Sequence, residues 1–131
     1  MQFDDFVGEV QNRLEQGSKA EAVRSSRAVL TTIGEYLQEG EDEDLAGSLP
    51  MEIDFYVLNA ESGQRMDWSE FVERVSARED GLDEADAAYH AREIVDFLQE
   101  IVPGGEFQDL RDNFEPEVEQ ELFELVDQRG R

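Results

Sequence analysis

The chain has 131 residues, with 34 Asp and Glu against 11 Lys and Arg, and a formal net charge of −23. That balance excludes a phosphate-reading nucleic-acid surface and docking on anionic membranes, both of which need basic patches. With no cysteine, disulfides, cysteine-ligated zinc, iron–sulfur clusters and thiol catalysis are excluded too, while 39% hydrophobic content including eight Phe is enough to build a core.

In chain order, Phe3, Phe6, Val7, Val10 and Leu14 follow helical spacing. Asp4 and Asp5 suit the positive end of that helix. Ser18-Lys19-Ala20-Glu21 is a capping box. It opens a long helix with the stripe Ala22, Ser26, Val29, Leu30, Ile33 and Leu37, which Gly40 is expected to end. A short helix is expected over 41–48. Another element starts near Pro50, and its residues 53–58 fit either a helix or a strand. Residues 59–65, with Ser62-Gly63, read as a linker.

The pattern then recurs. Asp67-Trp68-Ser69-Glu70 resembles a capping box, and Trp68, Phe71, Val72 and Val75 follow at helical spacing. Asp83 opens a second long helix with Ala87, Ala91, Ile94, Val95, Leu98 and Val102, stopped by Pro103-Gly104-Gly105. A short helix over 106–113 and a last one from Pro116 carry on to Val118, Leu122, Leu125 and Val126.

Sliding the chain by 65 residues aligns its halves without a gap. Fourteen of 58 positions are identical, among them Arg13/Arg78, Arg27/Arg92, Glu35/Glu100, Gly40/Gly105 and Asp44/Asp109. Chance in so biased a composition gives roughly a third of that. The expectation is therefore an all-α single domain over 1–131. It is a helical bundle of two similar, pseudo-symmetric halves, 1–58 and 66–123, each of three to four helices. Halves of this size are marginal alone and should pack together about a pseudo-twofold axis.

The acids run through both halves, 14 before residue 66 and 20 after it, so they do not form a tail. Ten of the 11 basic residues are Arg and only Lys19 is Lys. Abundant carboxylate with scarce Lys resembles proteins from haloarchaea. In molar salt the Debye length falls to about 3 Å and self-repulsion is screened. No apolar run has the length of a membrane span, and Met1-Gln2-Phe3-Asp4-Asp5 lacks the pattern of a signal peptide. A cytoplasmic location is expected, without membrane association or direct nucleic-acid binding.

Candidate sites are few. A calcium loop starting at Asp42 fails, because its fifth and twelfth positions are Ala46 and Ile53. His90, the only histidine, has Asp86 and Glu93 on its helical face, where a metal site or an acid–base dyad can be drawn. Arg27 and Arg92 lie beside the apolar stripes, and the matched acids Asp44 and Asp109 begin the next short helices. Two structural bridges are expected, Arg27–Asp44 and Arg92–Asp109. Pairing with surface Glu and a ligand-binding role are the alternatives. Trp68, Phe71, Phe107 and Phe114 suit core packing better than a groove.

The run Arg27-Ala28-Val29-Leu30-Thr31-Thr32-Ile33-Gly34-Glu35-Tyr36-Leu37, then Gly40-Glu41, Asp44-Leu45-Ala46 and Leu49-Pro50, resembles the prokaryotic family named domain of unknown function 2267. Phe3-Asp4-Asp5-Phe6, Phe71-Val72-Glu73-Arg74-Val75 and His90-Ala91-Arg92 share the likeness, which covers nearly the whole chain. The resemblance implies an all-helical fold with two similar halves, and no activity. Function is expected to be non-enzymatic, without catalytic, metal or cofactor-binding residues. The chain would act by protein–protein or self-association. The alternatives are acidic mimicry of nucleic acid, with carboxylates in rows on one face, and a metal-dependent activity centred on His90.

Overall fold

A computed structural model describes residues 1–130 of the protein, which form nine helices and no strand among the described residues. The first four are α1 (Phe3–Arg13), α2 (Lys19–Tyr36), α3 (Glu41–Ala46) and α4 (Ile53–Leu58). They are followed by α5 (Trp68–Arg78), α6 (Glu84–Ile101), α7 (Gly104–Asp112), α8 (Pro116–Leu122) and α9 (Glu124–Arg129). Residues 53–58, which the sequence leaves open, are helical.

Side chains set several helix starts. The Ser18 hydroxyl accepts from the Glu21 amide at 3.2 Å, the Asp67 carboxylate from the Glu70 amide at 2.8 Å, and the Asp83 carboxylate from the Ala85 amide at 2.9 Å. Each satisfies a donor that the first turn leaves without a partner. Helices α1 and α5 have 11 residues each and begin 65 residues apart, as do the 18-residue α2 and α6. Both shorter helices are followed by a residue with positive φ, Glu15 at 51° and Asp80 at 59°.

The long helices form the centre. Helix α1 packs on α2 and α6, α5 packs on α6 and α2, and α2 packs on α6. Helix α3 meets α7, while α4 lies on α2 and α3. The expected stripes of α2 and α6 are all buried, and their apolar members belong to one cluster spanning the bundle. Phe6 of α1 meets Phe97 of α6 at 5.0 Å between ring centroids, and Tyr36 of α2 meets Phe114 at 4.7 Å. The buried Tyr36 hydroxyl accepts from the Glu115 amide at 2.9 Å, so its polar end is satisfied.

Helix α2 stops at Tyr36, four residues before the expected Gly40. Leu37 turns extended, and its carbonyl accepts from the Gly63 amide at 2.7 Å. The Glu35 carbonyl accepts from the Gln64 amide at 2.8 Å. Gly63 and Gln64, within the 59–65 segment, are thus tied to the end of α2. Gly40 serves the next element, preceding α3 with φ 97°, a conformation glycine adopts without steric cost.

Gly34 lies where α2 comes close to the end of α4 and the residues after it. A methyl group there would lie 2.8 Å from the Val57 carbonyl oxygen and 2.9 Å from the Ala60 Cβ. Gly34→Ala gains helix propensity but displaces backbone. We expect a net loss of about 1–3 kcal/mol, read as a lower urea midpoint.

Candidate functional site

The two expected Arg–Asp bridges do not form among the described residues. Arg92 turns to the C-terminal helices instead. Its Nε donates to the Glu121 carbonyl and its Nη2 to the Glu121 carboxylate, both at 2.8 Å, with Glu124 at 3.6 Å. Its guanidinium also lies over the Trp68 ring, 5.1 Å from the centroid. Arg27 faces α4, lining a hollow with Thr31, Phe55, Tyr56 and Asn59. Tyr56 and Asn59 stand 65 residues before Glu121 and Glu124, so Arg27 meets neutral groups where Arg92 meets acids. Asp44 and Asp109 are elsewhere. They line a small cleft with Glu41, Leu45, Val102, Glu106 and Leu110, because α3 and α7 pack against each other and away from both arginines.

The dominant ionic cluster joins arginines to acids in pairings that sequence reasoning did not single out. Arg13 of α1 contacts Asp96 at 2.8 Å and Glu93 at 3.5 Å on α6, and also Glu100 and Glu9. Arg129 of α9 closes on the same acids, at 2.9 Å from Glu93 and 2.5 Å from Asp96. The Asp96 side chain is fully buried and that of Glu93 nearly so. On the other flank, Glu35 of α2 accepts from Arg78 at 2.7 Å and Arg74 at 3.1 Å, both from α5. Arg13 pairs with Glu100 and Arg78 with Glu35; each residue of one pair stands 65 positions from its counterpart in the other. The only sign in the sequence was the identity of those two matched pairs.

The half-buried Glu35 and the buried Glu93 are held ionised. Burial disfavours the charged form of Glu35, but hydrogen bonds and charge from Arg78 and Arg74 outweigh it and lower its pKa from 4.5. For Glu93, burial is likewise outweighed by Arg129, Tyr89 and Arg13. A depressed native pKa adds stability that is present above about pH 4.5 and lost as pH falls through the native value. Urea midpoints should therefore drop steeply with acid below about pH 4.5, and Glu35→Gln or Glu93→Gln should flatten that drop.

His90 is half-buried and turned from its expected partners. Asp86 is exposed, and Glu93 is engaged by Arg129 and by the Tyr89 hydroxyl. The His90 Nδ1 lies 3.1 Å from both Glu79 carboxylate oxygens and 3.4 Å from the Ser25 hydroxyl. That hydroxyl donates to Glu79 at 2.5 Å and accepts from Gln16 at 2.8 Å. Ser25 and Glu79 are buried. One ring nitrogen serves both neighbours, and the serine proton is committed to the carboxylate. The trio is arranged as a polar lock between α2, α6 and the end of α5, without the separate base and orienting contacts of a nucleophilic triad. No group of three or more His, Asp and Glu side chains among the described residues is placed to hold a metal ion.

Trp68 stacks on Phe71 at 5.6 Å, and Phe107 and Phe114 are buried, so these aromatics build the core. The all-helical chain is matched over residues 3–121 by the model of the family described as uncharacterized conserved protein (DUF2267). The chain belongs to the DUF2267 family. No curated protein matches it. The DUF2267 match runs from α1 into α8, so α9 with Arg129 lies beyond it. No helix among the described residues is long and apolar enough to cross a membrane.

Within the DUF2267 match, α4 and the turn before it carry an exposed apolar face. Met51 is 81% exposed, Phe55 59% and Leu58 44%. Among the described residues only Met1 and Tyr89 are other large hydrophobics so exposed. The hollow beside this face measures about 250 Å³ and contains Arg27.

Proposed function

We propose that this DUF2267 protein is a non-enzymatic helical module that acts in a salt-rich cytoplasm by associating with a protein partner or with itself. The observation that carries the reading is the Met51–Phe55–Leu58 face. In a chain with a net charge of −23, grouped exposed hydrophobics mark a surface awaiting cover. Buried ionic groups elsewhere are spent on holding helices together. The test is size-exclusion chromatography of cell extract in its native salt. The chain should elute well above its 15.0 kDa mass, and Phe55→Asp should shift it to the monomer position. Monomeric elution of the unaltered chain would overturn the reading.

We further read the chain as two pseudo-symmetric halves. The equal lengths of α1 and α5 and of α2 and α6, each pair at a 65-residue offset, support this, as do the exchanged pairs Arg13–Glu100 and Arg78–Glu35. Contacts between matched positions give a second line of support, since under a twofold such residues meet at the axis. Ser25 meets His90, and Glu41, Asp44 and Leu45 share one cleft with Glu106, Asp109 and Leu110.

The salt reading rests on one Lys against ten Arg and on acids spread through the whole chain. Circular dichroism should lose helical signal as KCl falls from molar to millimolar, as self-repulsion becomes unscreened. A signal independent of KCl would contradict it.

A further inference from the structure

Among the described residues, Lys19 and every Arg except Arg27 have a carboxylate in ion-pair contact. Arg27 sits exposed at the edge of the apolar α4 face, beside Phe55 and Tyr56. Asp54, one helical turn from Leu58 on the same helix, is among the many acids without an ion pair to a described residue, and it is the one carboxylate that α4 itself carries. The face thus holds an unpaired cation, an unpaired carboxylate and three exposed hydrophobics.

We propose that this face is a self-association surface. Two copies pack α4 against α4 about a twofold axis, so that Met51, Phe55 and Leu58 cover each other and Arg27 of each copy meets Asp54 of the other. The proposal rests on the association reading above and names the occupant. Charge chooses it. A basic partner meets Arg27 and an unrelated acidic one meets Asp54, whereas a twofold copy supplies the complement of both. The contact is small. Helix α4 has six residues and is about 9 Å long, against about 800 Å² per partner in a standard interface, so the dimer is weak and reversible. Two chains of −23 also repel, so association strengthens with salt.

Sedimentation equilibrium of the purified full-length chain tests this, from about 0.1 M to about 2 M KCl. The expected result is a monomer–dimer equilibrium that shifts to dimer with salt. Phe55→Asp should weaken it about tenfold or more. Arg27→Glu should weaken it, and Arg27→Glu with Asp54→Arg should restore it. Circular dichroism of each variant checks the fold, which these exposed or half-buried positions should leave unchanged. A monomer at every salt and concentration overturns the proposal while leaving a different partner open to the extract experiment. A dimer indifferent to Phe55→Asp, or one the charge exchange fails to restore, places the contact elsewhere and overturns it equally.

Discussion

Arg13→Leu is expected to lower stability by about 3–5 kcal/mol, a large part of the margin of a domain this size. The substitution withdraws the α1 guanidinium from Asp96 and Glu93, which are buried. It also removes the cation lying 5.2 Å from the centre of the Phe97 ring. Two buried carboxylates then lose one of the guanidinium groups that face them while Arg129 remains, and an under-compensated buried charge is what makes such a loss expensive. The contrasting variant is Lys19→Ala. Its bridge to Asp4 joins side chains 55% and 75% exposed, and its removal should cost less than about 0.5 kcal/mol. Urea denaturation at fixed KCl checks both, since guanidinium would itself screen the charges. Equal losses in the two variants would contradict the account.

Phe123→Ala should cost about as much, roughly 3–5 kcal/mol, through a cavity instead of a charge. The ring is fully buried where α8 gives way to α9. Phe107 and Phe114 meet it edge-on, at 5.6 and 5.7 Å, and Arg111 lies 4.8 Å from its centroid. Removing it takes the common partner from three side chains and loosens the turn that directs α9 back onto α6. Because Arg129 rides on α9, the variant should also weaken its pairing with Glu93 and Asp96. The two substitutions are thereby coupled, and Arg13→Leu with Phe123→Ala should depart from additivity. Leu58, which stands 65 positions earlier, is 44% exposed, and Leu58→Ala should be nearly neutral by the same measurement.

Most of the helical framework was legible in the sequence, because local chemistry decides it. Ser18, Asp67 and Asp83 cap the helices they were expected to cap, and the stripes of α2 and α6 are buried throughout. Features set by distant chain were not legible. Helix α2 ends early because Gly63 and Gln64 take the carbonyls of Leu37 and Glu35. The last helix divides at Phe123 because that ring turns into the aromatic cluster. His90 was read against Asp86 and Glu93, its neighbours on α6, whereas Glu79 reaches it from beyond the end of α5. Periodicity registers only neighbours on one helix. The Arg27–Asp44 and Arg92–Asp109 pairing failed for a related reason. Matched positions were taken as partners within a half, but α3 and α7 face each other and carry both aspartates away. The exposed face of α4 was missed because Phe55 and Leu58 look like core residues in a sequence that does not say which side is covered.

On our proposal, this DUF2267 protein works through the face of α4. A photo-cross-linking residue placed at position 55, with the exposed Gln108 on α7 as the control position, tests this most directly in cells at native salt. The expected result is a discrete protein adduct from position 55 and none from position 108. No adduct from position 55, or the same adducts from both, would contradict it.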